Sequence, residues 1–235
     1  MRKDSFYYAP SIKVLQKTSL FSKTKPEDLD DILNHFTPMT LPKKSTISFS
    51  EIEQFFFVVI KGRVKISQFC IETGREYIAE VLSEGDIFDT IGLLYSKDED
   101  MLVETIDVTW LLKTPIQKAR ELLYTHPIFN KNVFSCFGQK MYALNIFAKE
   151  LIFYDTATRL ARLILRYYQE KRLDIIDDLS MDTLAKMIGS CRTVVNLHII
   201  EFKKEGIIST KDAKLCVVDE EKLYEKAMMQ REEME

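Results

Sequence analysis

The chain has 235 residues, 46% of them apolar, with 33 Lys and Arg against 36 Asp and Glu for a net charge of −3. That suits one large or two small domains with proper cores and excludes a uniformly basic polyanion binder. The four cysteines, Cys70, Cys136, Cys191 and Cys216, form no C-x-x-C motif and have no histidine at zinc spacing, so no metal site is expected.

Residues 1–40 read as helical and peripheral. The N-terminal MRKDSFYYAPSIKV lacks the apolar run and cleavage site of a signal peptide. In LFSKTKPEDLDDILNHF, Ser22 or Thr24 can cap a helix, Pro26 suits its first turn, and Glu27 and Asp28 suit its dipole. Leu29, Ile32, Leu33 and Phe36 then share one apolar face. From 41 to 114 the period changes. STISFS, QFFFVVIKGRVKISQFC, REYIAEVLSEGDIF and LVETIDVTWLLKT are short β-branched and aromatic runs, with Gly62, Gly74 and Gly85 at turns. Such strands predict a sandwich or jelly roll whose interior is all core or holds a small ligand. Phe55, Phe57, Phe69, Phe88 and Trp110 are the residues that would fill it.

Residues 115–152 switch to helix. Phe134, Phe137, Met141, Leu144, Ala148 and Leu151 recur at 3-4-3-4-3 spacing, a heptad seam suited to a second copy of the chain. A second stripe, Val133, Cys136, Ala143 and Phe147, can pack on the β-roll. Residues 156–172, TATRLARLILRYYQEKR, form an amphipathic helix through Leu160, Leu163, Ile164 and Tyr167, with Asp155 or Thr156 as cap. Arg159, Arg162, Arg166, Lys171 and Arg172 make it locally basic, which fits contact with DNA.

Leu179 to Ile208 reads as two helices and a sharp turn. Ser180 caps the first, Leu184, Ala185, Met187 and Ile188 give it an apolar face, and Gly189 ends it. The second runs from about Cys191 to Glu205, with Val194, Val195, Ile199 and Phe202 able to face a core. Arg192, Thr193 and Asn196 fall largely on the other side, near its start, and Gly206 ends it. A DNA-reading helix-turn-helix needs this layout. STKDAKLCVV then suggests a two-stranded wing turning at Lys211–Lys214, and DEEKLYEKAMMQREEME a short helix with a frayed acidic end. No segment approaches about 18 consecutive apolar residues, so no membrane contact is expected. A cytoplasmic protein with reduced thiols is the simplest account.

The expected fold is therefore α+β: an N-terminal β-roll (jelly roll) with flanking helices, a long dimerisation helix and a C-terminal winged helix-turn-helix. The boundaries are 1–115 for the N-terminal helix and sensor β-roll, 116–152 for the dimerisation helix and 153–235 for the DNA-binding domain. In this order, with VVIKGRVKIS, ETGREYIAEVLSEGDIF, Thr158 to Leu163 and LSMDTLAKMIGSCRTVVNLHIIEFKKEGII as the matching stretches, the chain resembles the Crp/Fnr family of bacterial transcription regulators. The resemblance implies a homodimer that binds a near-palindromic site in double-stranded DNA and contacts RNA polymerase.

Departures from that family carry the mechanism. The cyclic-AMP-binding branch grips ribose and phosphate with Gly-Glu and Arg-Ser after the GD turn. Here the stretch reads Phe88-Asp89-Thr90-Ile91-Gly92 and then Ser96 to Met101, with Asp98, Glu99 and Asp100 and no arginine between Arg75 and Arg120. Carboxylates there would repel a phosphate, so cyclic AMP and cyclic GMP are not expected to bind. Phe69, Phe88, Thr90 and Met141 are the candidate lining for some other small-molecule effector. No cysteine precedes Cys70, which argues against the iron–sulfur branch. No cofactor is predicted. A haem sensor of nitric oxide or carbon monoxide, using His35, His126 or Cys70, and a thiol switch at Cys70, Cys136 or Cys191 stay open as alternatives.

For DNA, Arg192 is the candidate reader of guanine, with Thr193 and Asn196 beside it. Thr193 and Leu197 stand where the well-known branch has Glu and a second Arg, so the operator should differ from the familiar one. Ser190, Lys186, Lys203 and Lys214 are candidate phosphate partners. An enzyme is not expected: there is no P-loop, G-x-S-x-G, H-E-x-x-H or dinucleotide fingerprint. The rival from another class is a dimeric interaction protein with degenerate DNA reading.

Overall fold

A computed structural model describes residues 5–18, 20, 21, 23–88, 92, 93 and 101–229. Ser22, Thr90 and the acidic run Asp98 to Asp100, singled out above, lie outside them. The chain divides into two units: residues 1–75 with 79–141, and residues 76–78 with 142–235.

The first unit opens with helices α1 (Tyr8–Leu15) and α2 (Pro26–Asn34). Pro26 occupies the first helical position, where its missing N–H is no loss, and Glu27 and Asp28 follow in the first turn. The cap position falls on Lys25 without a side-chain hydrogen bond, so Thr24 does not serve as the cap. Nor is this segment peripheral. Leu15, Leu29, Ile32 and Leu33 are buried to 1% exposure or less and belong to the main core.

Strands β1 (Thr37–Leu41) and β2 (Thr46–Ile47) follow, then helix α3 (Phe49–Gln54). The expected strand run STISFS thus breaks early, because the Ser48 hydroxyl accepts from the Glu51 amide and starts a helix instead. Strands β3 (Phe55–Lys61), β4 (Val64–Cys70), β5 (Arg75–Leu82), β6 (Ile87–Phe88), β7 (Met101–Thr105) and β8 (Thr109–Pro115) complete two four-stranded sheets, ordered β1-β8-β3-β6 and β2-β7-β4-β5. Gly62 shows why a turn needs glycine. Its φ is +83°, and a Cβ there would stand 2.7 Å from the Val108 carbonyl oxygen.

β3 is buried on both faces, which is why FFFVVI reads as an unbroken apolar run. Phe56, Val58 and Ile60 face the helices α1 and α2 and two that follow β8, α4 (Ile116–Thr125) and α5 (Pro127–Phe153). Phe57 and Val59 point between the sheets, with Ile47, Val64, Ile66, Leu82, Phe88, Val103 and Leu111. There Phe57 and Phe88 stack with ring centroids 4.6 Å apart. The expected filling is corrected in two places. Phe69 is 40% exposed at the end of β4, and Trp110 lies edge-on to Phe6 and Tyr7.

The helix expected over 116–152 is two helices. Proline disfavours helical backbone in the residue before it, and His126 takes φ −123°, ψ +92° ahead of Pro127. The division of the chain into units falls within α5, between Met141 and Tyr142.

The second unit continues with α6 (Thr156–Gln169), a 3₁₀ turn (Leu173–Ile175), α7 (Met181–Met187), α8 (Arg192–Lys204), the antiparallel pair β9 (Ile208–Lys211) and β10 (Lys214–Val217), and α9 (Glu220–Met228). Caps sit where short polar side chains can accept: Asp155 takes the Thr158 amide at 2.7 Å, and Ser180 takes the Thr183 amide at 3.1 Å. The wing turns on Asp212 and Ala213 at φ +50° and +63°, the left-handed pair of a two-residue hairpin. Among the described residues no helix is long and apolar enough to cross a membrane.

Candidate nucleic-acid interface

The second unit packs three helices on a small core. Leu160, Ala161 and Ile164 of α6 are buried, as are Leu184, Ala185 and Met187 of α7 and Val195, Ile199 and Phe202 of α8. The turn between α7 and α8 is set by Gly189 at φ +62°, and the Ser190 amide donates back to the Ala185 carbonyl at 2.9 Å. Gly206 closes α8 the same way, at φ +73°, with the Ile207 amide on the Phe202 carbonyl at 2.9 Å. Helix α8 is thereby held by one face and presents the other.

That outer face carries Arg192, Thr193, Asn196, Leu197, Ile200, Lys203 and Lys204, all exposed. Arg192 opens the helix, one residue after the Cys191 cap position. Ser190 is half-buried. The other expected phosphate contacts differ among themselves. Lys186 is clasped between Asp182 at 2.6 Å and Glu76 at 2.7 Å. Those two carboxylates, Asp182 first, hold its ammonium above the usual lysine range. Lys214 pairs with Asp177 at 3.1 Å. Lys203 stands exposed in the last turn of α8, with no ion pair among the described residues.

The basic stretch of α6 turns partly inward, against expectation. Arg162 and Arg166 both donate to one oxygen of Glu150, at 3.0 and 2.8 Å, and that carboxylate is 7% exposed. Arg162 also donates to the Ala227 carbonyl and lies over the Tyr154 ring, 4.5 Å from its centre. These two arginines brace the unit. Glu150, in AKELIF, was missed because one acid near a helix end looks like an ordinary solvated residue. Its spacings of 12 and 16 to the arginines match no local helical pairing.

On α5 most of the heptad residues are exposed. Phe134, Met141, Leu144 and Leu151 are 51%, 52%, 55% and 41% exposed, Ala148 is exposed and Phe137 half-buried. Val133 and Cys136, from the second stripe, are buried in the core of the first unit, and Phe147 stacks on Tyr77 at 5.2 Å. Ala143 is exposed instead.

Of the expected effector lining, Thr90 lies outside the described residues. Phe88 is fully buried, whereas Phe69 and Met141 are 40% and 52% exposed, and neither belongs to the core between the sheets. The four cysteines are free thiols: Cys70 and Cys191 exposed, Cys136 buried, Cys216 between. Among the described residues no three His, Cys, Asp or Glu side chains gather to hold a metal. His126 faces Asp31 at 3.4 Å.

Comparison with known proteins agrees with this architecture. The Crp-like helix-turn-helix domain matches residues 158–226. A relative described as a CRP-like cAMP-activated global transcriptional regulator, from Mycobacterium tuberculosis, is 21% identical over 223 residues, covering 92% of this chain and 99% of its own length. Among solved structures, a CooA mutant from Carboxydothermus hydrogenoformans superposes with TM-score 0.72 at 22% identity, over 91% of this chain and 95% of its own. The c-di-GMP responsive global regulator CLP of Xanthomonas campestris gives 0.69 at 15% identity, over 83% of this chain and 100% of its own. The chain thus carries a Crp-like helix-turn-helix domain at its C-terminal end and shares the fold of these solved structures along most of its length.

Proposed function

We propose that the chain acts as a homodimer on a near-palindromic promoter site, one α8 in each major groove, with RNA polymerase as its downstream partner. One observation carries this: α8 holds Arg192, Thr193 and Asn196 outward from a buried three-helix support within the matched domain. An arginine at the start of such a helix can donate two parallel hydrogen bonds to guanine O6 and N7. Ser190 and Lys203 hold phosphates. Lys186 and Lys214 join them only by exchanging a carboxylate for a phosphate. The test is a salt series on duplex DNA. The logarithm of affinity should fall linearly with the logarithm of salt concentration, and absence of any salt-dependent binding refutes the reading.

Arg192→Ala should weaken binding by about 1–3 kcal/mol per half-site and relax one base position. Competition between duplexes chosen from random sequence measures both effects. Equal loss on every duplex would make Arg192 a phosphate contact.

The chain is not an enzyme on this reading, works in the cytoplasm, holds no resident cofactor and answers to a small molecule other than a cyclic nucleotide. The Mycobacterium relative is described as cAMP-activated. This chain lacks an arginine between positions 75 and 120, and Arg120 is already donating to the Gly92 and Leu93 carbonyls at 2.8 and 3.1 Å. Calorimetric titration with cyclic AMP should therefore give no binding isotherm. A saturating isotherm would restore the nucleotide as effector.

A further inference from the structure

Two residues of α8 have no place in hydrogen-bond reading. Leu197 is 54% exposed and Ile200 41% exposed, while the buried side of the same helix is already complete with Val195, Ile199 and Phe202. Spacings of four and three put Thr193, Leu197 and Ile200 on one stripe. That stripe runs down the outer face with Arg192 and Asn196 on one side and Glu201 on the other, and Lys204 continues it into the last turn. A single exposed leucine needs no explanation. Two branched aliphatics and a threonine methyl in line, flanked by a cation and an amide, form a surface that is apolar along its centre and polar at its edges.

Resting on the DNA-reading role proposed above, we infer that Thr193, Leu197 and Ile200 read thymine C5-methyl groups in each half-site. The major groove presents two kinds of sequence information, hydrogen-bonding groups and the thymine methyl, and only the second can be read by a side chain with neither donor nor acceptor. Leucine at 197 cannot bond a base, yet its exposed methyls bury well against another methyl. The half-site therefore combines a guanine for Arg192 with neighbouring thymines for the stripe. Because no charge is involved, this part of the affinity does not depend on salt, unlike the part supplied by the lysines.

Thymine and deoxyuridine differ only in that methyl, so replacing one by the other isolates the contact. The full-length protein is used on a duplex it selects from random sequence, with each thymine replaced in turn. Wild-type protein should lose about fourfold in affinity for each contacted methyl removed, the equivalent of one buried methylene. Leu197→Ala and Ile200→Ala should bind more weakly, keep the wild-type salt slope, and lose their sensitivity at the corresponding thymines. Both side chains are exposed, and unchanged thermal midpoints confirm that the variants fold. Selection of a sequence with no sensitivity to deoxyuridine overturns the inference and leaves the DNA-reading role standing. Sensitivity that survives in both variants overturns it as well. A protein that selects no sequence refutes the inference and the reading beneath it together.

Discussion

Leu144→Glu should convert the chain to a monomer in sedimentation and weaken binding to a two-half-site duplex by a factor on the order of 10²–10⁴, the gain that linking two binding events provides. The single chain leaves an apolar strip of α5 uncovered. Leu144 is 55% exposed, its heptad neighbours Met141 and Leu151 are 52% and 41% exposed, and Tyr142, Ile152 and Phe153 add to the same stretch of α5. A continuous apolar strip of this kind marks an interaction surface, and its period is that of two helices interlocking side chains. Across a two-fold axis the new carboxylate would face the same seam of its mate, and burying it there is costly without a partner. The chain's own core does not use Leu144, so each copy should remain folded. Gln139→Glu, on an exposed position off the seam, is the matched control and should stay dimeric. A Leu144→Glu dimer of unchanged affinity would remove α5 as the pairing surface.

The second large effect concerns stability. Glu150→Ala should lower the unfolding free energy of the second unit by about 2–4 kcal/mol, in the range for breaking an ion pair on one side. The carboxylate is 7% exposed and holds two guanidinium groups. Those groups are 24% and 37% exposed, so water compensates part of the loss. Glu150→Gln keeps one acceptor oxygen and should cost less than the alanine. Urea unfolding with unchanged slope checks both variants. A loss below about 0.5 kcal/mol would put this triad with ordinary surface pairs.

Much of the second unit was legible because its signals are local. Ser180, Gly189 and Gly206 mark their helix ends through hydrogen bonds spanning only a few residues. The alternation along β3 was concealed, since a strand covered on both faces loses its period of two. The break at Pro127 could have been read from that residue alone, since the apolar seam begins only at Phe134 and says nothing about the junction. Less could be read where partners lie far apart in sequence. Nothing local shows that Arg162 and Arg166 turn to Glu150 rather than to a phosphate, or that Lys186 meets Glu76. Phe69 and Phe88 look alike as letters, yet one ends in solvent and the other against Phe57. Exposure at Leu197 and Ile200 likewise depends on which side of α8 the other helices cover.

Gly189 has a reach beyond its own turn. A side chain there would bring a Cβ to 2.9 Å from a terminal methyl of Leu151, one of the exposed heptad residues of α5. That methyl can swing aside, so the obstruction is soft, but Leu151 then leaves its place on the strip. An inherited change in the loop between α7 and α8 would thus act as two lesions, altering how the reading helix is held and how α5 presents itself to a second copy. A genetic screen that scored only DNA contact would misassign such an allele, and its suppressors would be sought on a helix some forty positions upstream.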